Sequence, residues 1–156
     1  MHSVKLTKLV EKMNLKNMTP DIDMTEIKVH QPDINRPALQ LTGYFDHFDS
    51  ERVQIIGYVE YTYLLSLETE RKKEVYRKLL SAQIPCVVFC RELPPDQEIL
   101  DAANELGIPI FMTEKSTSSF MAEVIRWLNV ELAPMISIHG VLVDVYGEGV
   151  LIMGES

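Results

Sequence analysis

Cysteine and long apolar runs are both scarce in this chain, and each shortage removes a class of protein. Two cysteines in 156 residues cannot build the disulfide framework of a small secreted domain. Cys86 and Cys90 also have no second cysteine pair or histidine beside them to complete a zinc site. Their C-x3-C spacing in a strand-like apolar run puts both on one face, so they read as reduced, buried thiols packed as small apolar residues. Apolar stretches such as CVVFC and VLIM fall far short of the roughly 20 residues that span a bilayer as a helix. The amino end, MHSVKLTKLVEK, interleaves lysines with apolar residues and lacks the apolar stretch and cleavage site of a signal peptide. A cytoplasmic protein with no membrane segment is expected. Basic residues are the minority charge: 15 Lys and Arg stand against 23 Asp and Glu, a formal net charge of −8. With the cations spread along the chain and no basic stripe, a nucleic-acid partner is not expected.

What is present is enough for a globular core: 46% of the residues are apolar, which separates the chain from disordered segments. Thr7 before LVEKM, with Leu9, Val10 and Met13 at helical spacing, predicts a short helix capped by Thr7. A turn-rich stretch follows, with a strand expected over residues 26–29 and a turn or two of helix in ALQLTGYF. Then the pattern becomes regular. VQIIG (residues 53–57) reads as a strand buried on both faces. Residues 67–82 read as an amphipathic surface helix with Val75, Leu79 and Leu80 on its apolar edge and a Glu74–Lys78 pair one turn apart. A strand is expected over 85–90, then a helix opened by Pro94-Pro95-Asp96 and closed by Gly107. A third strand is expected over 108–112. The last helix would be capped by hydroxyls of 116–119 and would bury Phe120, Met121, Val124, Ile125 and Leu128. Strand and helix alternating three times predict an α/β fold with a small, mostly parallel sheet flanked by helices.

After Glu131-Leu132-Ala133-Pro134 the pattern changes to three short strands, over 135–139, 141–146 and 149–153, the last two joined by Gly-Glu-Gly. The division expected is therefore a domain over residues 1–131 and the opening of another over 132–156. The chain ends in GES. A strand running into a glycine turn is how a phosphate-binding P-loop, G-x-x-x-x-G-K-[ST], begins, although three residues alone specify nothing. The surrounding blocks do specify something. HGVLVDVYGEGVLIMGES resembles the segment entering the P-loop of the bacterial HPr kinase/phosphorylase family. NRPALQLTGYFDHFDSERVQIIG, FCRELPPDQEILDAA, IPIFMTEKSTSSF and LAP match upstream in the same order. The resemblance covers essentially the whole chain.

The resemblance implies a bifunctional enzyme that phosphorylates a serine of HPr, the phosphocarrier of the sugar phosphotransferase system, using ATP or pyrophosphate with Mg²⁺. The same family removes that phosphate with inorganic phosphate, in the service of carbon catabolite repression. It also implies a homo-oligomer, typically a hexamer. Residues 132–156 would then be the first strands of the P-loop kinase domain. His139 would be the catalytic histidine, and Gly154, Glu155 and Ser156 the start of the ATP-binding loop. By spacing alone, His139 between apolar runs reads as a structural residue; the resemblance is what assigns it a proton-handling role. The P-loop lysine, the Mg²⁺ ligands and the catalytic aspartate would all lie past Ser156. The 156-residue chain by itself is therefore expected to be inactive, with no bound cofactor, and to serve packing, assembly or regulation.

Other constellations are weaker. Asp46, His47, Asp49 and Glu51 do not have the spacing of a calcium loop and read as a solvated acidic turn, so no metal site is expected. Residues 113–119 could hold an anion at a helix end, but capping accounts for their hydroxyls. Gly147 and Gly149 precede a strand where a dinucleotide fingerprint must open a helix. The aromatics Tyr44, Phe45, Phe48, Tyr58, Tyr61 and Tyr63 suit core packing or a subunit contact. The alternative of a different class is an independent, non-catalytic α/β module. It would bind a small ligand or a protein at the carboxyl ends of its strands, near Arg91 and 113–119.

Overall fold

The computed structural model describes residues 2–134, together with the backbone pairing of β-strands at 146–147 and 149–150. In chain order the elements are β1 (Val4–Lys5), α1 (Leu6–Met13), β2 (Lys16–Asn17), β3 (Lys28–Val29), β4 (Ile34–Asn35), α2 (Ala38–Leu41), β5 (Val53–Ile56), α3 (Tyr58–Leu65), α4 (Thr69–Leu80), β6 (Val87–Phe89), α5 (Gln97–Leu106), β7 (Ile110–Met112), α6 (Thr117–Glu131), β8 (Tyr146–Gly147) and β9 (Gly149–Val150). The fold is α/β. A five-stranded sheet runs in the order β2-β7-β6-β5-β4, parallel from β4 to β7, with β2 antiparallel at one edge. Beside it, β1 and β3 pair antiparallel, with Val4 opposite Val29 and Lys5 opposite Lys28.

Both faces of the sheet are covered, which is why its central strands lack polar alternation. Val53, Ile55, Cys86, Val88, Cys90 and Phe111 pack on one side against Leu6, Leu9 and Met13 of α1 and Phe120, Val124 and Leu128 of α6. Ile56, Val87, Phe89 and Ile110 point the other way, onto the side covered by α2, α3, α4 and α5. Strands that follow one another in space as in sequence, joined by crossovers of one hand, place the intervening helices on a single face. The helix that follows the last strand, α6, is left to cover the opposite face with α1.

Strands β5, β6 and β7 and helices α4, α5 and α6 form where the pattern predicts them, while α3, between β5 and α4, is an element the pattern does not predict. Asp96 caps α5 by accepting from the Ile99 amide at 3.0 Å, and Gly107 ends it at φ +76°. Ser116 caps α6 through the Ser119 amide. Two local expectations are corrected. Thr7 lies inside the first turn of α1, whose N-cap is Lys5 with no side-chain cap; the β1–β3 pairing brings the chain straight into the helix and takes the cap's place. Glu74 does not pair with Lys78. It pairs with Arg71 at 2.7 Å, while Lys78 lies over the Phe45 ring at 4.9 Å, because the ring offers its stem an apolar surface as well as a cation–π contact. Past Pro134, β8 and β9 pair antiparallel on either side of position 148.

Candidate functional site

The carboxyl ends of β5, β6 and β7 converge where parallel α/β sheets commonly place their ligands. Gly57 stands at the centre. It follows β5 directly, and a Cβ added there would come within 2.5 Å of Arg36 Nη2 and 2.7 Å of Thr117 Oγ1. Only a residue without a side chain lets the β4–α2 connection, the start of α3 and the start of α6 approach this closely. The Gly57 amide donates to Glu60 Oε1 at 2.7 Å, and Arg36 donates to the same oxygen through Nη2 at 2.8 Å and Nε at 3.3 Å. Glu60 is 4% exposed, so its charge is sustained by the guanidinium and the backbone donor together.

Next to this pair, β6 runs into Cys90, whose thiol is buried and hydrogen-bonded to Thr117. Burial raises its pKa to about 11. Cys86, deeper on the same face, is pushed up to about 12, also by burial. Both cysteines are free, and their protonated state at neutral pH makes them packing groups rather than nucleophiles. Arg91 and Glu92 then adopt successive left-handed conformations at φ 61° and 55°. Their amides donate to Lys115 O and Thr113 O, both at 2.8 Å, which ties the β6–α5 loop to the β7–α6 loop. The Arg91 guanidinium lies 5.9 Å from the centre of the Tyr58 ring.

Tyr58, beneath Arg91, belongs to an exposed apolar set. Tyr58, Val59 and Leu65 of α3, with Leu39 of α2, are each more than half exposed. The sequence YVEYTYLL explains this. It is apolar on nearly every side, so after Leu64 is buried apolar residues remain facing outward. The same lack of a polar face hides α3 from a search for helical periodicity. Its usable signal is Gly57 followed three residues on by Glu60, the N3 carboxylate of a helix start.

The reading of 113–119 as capping is met: Ser116 holds α6, and Thr113 Oγ1 accepts from the Lys115 amide at 3.3 Å. In the acidic turn, Asp49 accepts from Gln31 Nε2 at 2.6 Å and the Glu51 amide at 3.0 Å. These bonds, that to Gln31 foremost, hold its carboxyl below the usual range. Among the described residues no three His, Cys, Asp or Glu gather as metal ligands, and no helix is long and apolar enough to cross a membrane. Of the aromatics, Tyr61 packs edge-on against Phe89, and Phe45 against Phe48, while Tyr58 faces outward. A second polar cluster joins α4 to α5, where Asp96 Oδ2 accepts from Tyr76 OH at 2.9 Å and Lys72 Nζ at 3.0 Å. His139, Gly154, Glu155 and Ser156 lie outside the described residues.

Comparison with known proteins gives these residues a family. Among solved structures, the CBS and DRTGG domains of the regulatory region of Clostridium perfringens pyrophosphatase, complexed with diadenosine tetraphosphate, align over 78% of this chain and 46% of that one. The TM-score is 0.48 and the identity 12%, too distant to inform the site. The HPr kinase/phosphorylase of Lachnoclostridium phytofermentans is 64% identical over 100% of this chain and 50% of its own length. That of Alkaliphilus metalliredigens is 41% identical over the same shares. The chain thus spans about half the length of the curated relatives it matches. A family model described as HPr Serine kinase N terminus matches residues 4–128, and the chain belongs to that family, the amino-terminal part of the HPr kinase/phosphorylases.

Proposed function

We propose that this chain is the amino-terminal part of an enzyme that phosphorylates a serine of HPr and also reverses that step. The observation that carries the reading is the 64% identity, over the whole chain, to a protein named HPr kinase/phosphorylase. In this reading residues 1–131 form the amino-terminal domain and 132–156 open the kinase domain. The forward step joins the serine oxygen to the γ-phosphorus of ATP while the bridging P–O bond breaks and ADP leaves. With pyrophosphate as donor, phosphate leaves instead. In reverse, inorganic phosphate takes the phosphoryl group from phosphoserine, giving pyrophosphate and the free hydroxyl. Backbone amides from Gly154, Glu155 and Ser156 would begin the cradle for the phosphates of Mg²⁺-bound ATP. His139 would hold or pass a phosphate proton near neutral pH.

The 156-residue chain alone would be inactive, and its domain would serve packing, assembly or regulation of a cytoplasmic homohexamer acting in carbon catabolite repression. The test is transfer of labelled phosphate from ATP to HPr by the full-length polypeptide, with and without His139→Ala. Transfer that His139→Ala strongly reduces supports both the reaction and the histidine's role. Full activity in the variant removes His139 from the chemistry.

A second reading, a protein-binding module, rests on the exposed apolar face of α3 beside Arg91. Tyr and Arg on an apolar surface are the residue types that dominate binding hot spots. If that face binds HPr, titration of HPr with this chain alone gives a signal that Tyr58→Ala abolishes.

A further inference from the structure

Helix α3 buries one side of itself. Glu60 and Leu64 point inward, and Tyr61 is held sideways, its hydroxyl donating to Pro94 O at 2.7 Å. Outward, Tyr58 is 58% exposed, Val59 66% and Leu65 61%. Exposed Thr62 stands among them, one turn on from Tyr58 and Val59. The aliphatic hydroxyls of this face are already bonded to their own helix. That of Thr62 lies 3.0 Å from Tyr58 O and 3.1 Å from Val59 O, and that of Ser66 donates to Tyr63 O at 2.6 Å. Covering the face therefore strands neither donor. The carboxylate of α3, Glu60, is buried against Arg36, so no acidic group repels a partner here.

Two features select a second copy of this chain as that partner. The first is area. Leu39 of α2, 60% exposed, extends the patch, since α2 packs beside α3. Tyrosine presents about 150–250 Å² and the aliphatic residues less, so side chains exposed to this degree give a patch of roughly 500 Å². That is near the upper end of what a monomer leaves open, about 300–600 Å². Two such patches placed face to face bury about 1,000 Å², the size at which a specific interface begins.

The second feature is charge. Arg91 lies at the amino end of α3, 5.9 Å from the centre of the Tyr58 ring. The last turn of α3 carries no basic residue, which leaves the carbonyl dipoles of its carboxyl end without a cation. The helix is about 12 Å long at 1.5 Å per residue, so both ends fall within one contact. Two α3 helices lying antiparallel about a two-fold axis at Thr62 bring Arg91 of each copy to the carboxyl end of the other's α3. The same arrangement lays Tyr58 of each copy on Leu65 of the other. A two-fold contact makes every pairing twice, so cation and helix end complement each other at both edges.

We propose that α3 is a homotypic docking helix, through which two copies of this chain pair antiparallel with Thr62 at the axis and Arg91 at the far end of the neighbouring helix. This deepens the assembly role given above by naming its surface, and it stands on residues 39–91 alone. Failure of HPr transfer would bear on the kinase reading, and failure of association on this one.

Sedimentation equilibrium of the 156-residue chain tests the pairing. The wild-type chain should pass with concentration from 17.9 kDa to twice that mass, with a dissociation constant of about 1–100 μM for a contact this small. Thr62→Lys and Thr62→Glu each set like charges across the axis and should weaken pairing by about tenfold or more. An equimolar mixture of the two should recover the dimer, because Lys then faces Glu, and that recovery also shows that both variants fold. Arg91→Ala should weaken pairing about threefold to tenfold, the effect of losing two cations at helix ends. A wild-type chain that stays monomeric up to about 1 mM overturns the proposal. So does association that neither Thr62 variant weakens, or a mixture no more associated than its components. A monomeric chain that takes up HPr through Tyr58 gives the face to a different protein and overturns it as well.

Discussion

Gly57 shows what one missing Cβ does for this fold. Three connections meet over it, and its amide and Arg36 share a single oxygen of buried Glu60. Gly57→Ala should cost about 1–3 kcal/mol, the range for overpacking a tight site. Part of that should be recovered when Thr117→Ala removes the Oγ1 and Cγ2 atoms that the new methyl meets. Urea unfolding of the three variants checks this non-additivity. The two thiols predict a pH effect of definite sign. Burial raises Cys86 from 9.0 to about 12 and Cys90 from 9.0 to about 11. The folded state therefore keeps protons that the unfolded state gives up. Stability should be intact below about pH 9 and fall above it. Each thiol contributes up to about 1.4 kcal/mol per pH unit until its folded pKa is reached. Buried Tyr76, also raised chiefly by burial, steepens the loss above its ordinary value of 10.0. Unfolding free energies measured from pH 8 to about 10.5 should show this slope, and Cys86→Ala should flatten it.

Among the elements, α5 depends most visibly on one side chain. Asp96 caps the helix, accepts the Tyr76 hydroxyl and pairs with Lys72, and that hydrogen bond is the leading reason the Lys72 pKa is raised. Asp96→Ala removes the cap and strands a buried hydroxyl, for an expected loss of about 1–3 kcal/mol. Asp96→Asn keeps an acceptor and should lose distinctly less; equal losses in thermal melts would mean the charge, not the cap, matters. Asp96 was also readable beforehand, since Pro-Pro-Asp before an apolar-periodic run is a helix start and Gly107 its stop. The central strands were readable for the same reason, as β-branched runs bounded by turns. Helix α3 was not, because YVEYTYLL has no polar face to set its period. Nor were β1, β2 and β4: at two residues each, they exist through pairing with distant partners such as Met112 and Val53, which no local pattern announces. Within the candidate site, Arg91 and the hydroxyl caps were visible in sequence. The Arg36–Glu60–Gly57 junction was not, because it joins residues 24 apart through a close approach that only the fold creates.

At the scale of the molecule, the sheet has helices on both faces and, at the carboxyl ends of its strands, an apolar helix open to solvent. The chain spans about half the length of relatives named HPr kinase/phosphorylase, and the function proposed from that likeness is phosphorylation of HPr by the full-length polypeptide. The direct measurement is phosphate transfer from ATP to a serine of HPr, with the product mapped by mass spectrometry, for the full-length polypeptide and for this 156-residue chain side by side. The expected result is phosphoserine on HPr with the full-length protein, its removal when inorganic phosphate replaces ATP, and no transfer by this chain alone. A full-length protein that leaves HPr unmodified under both conditions would contradict it.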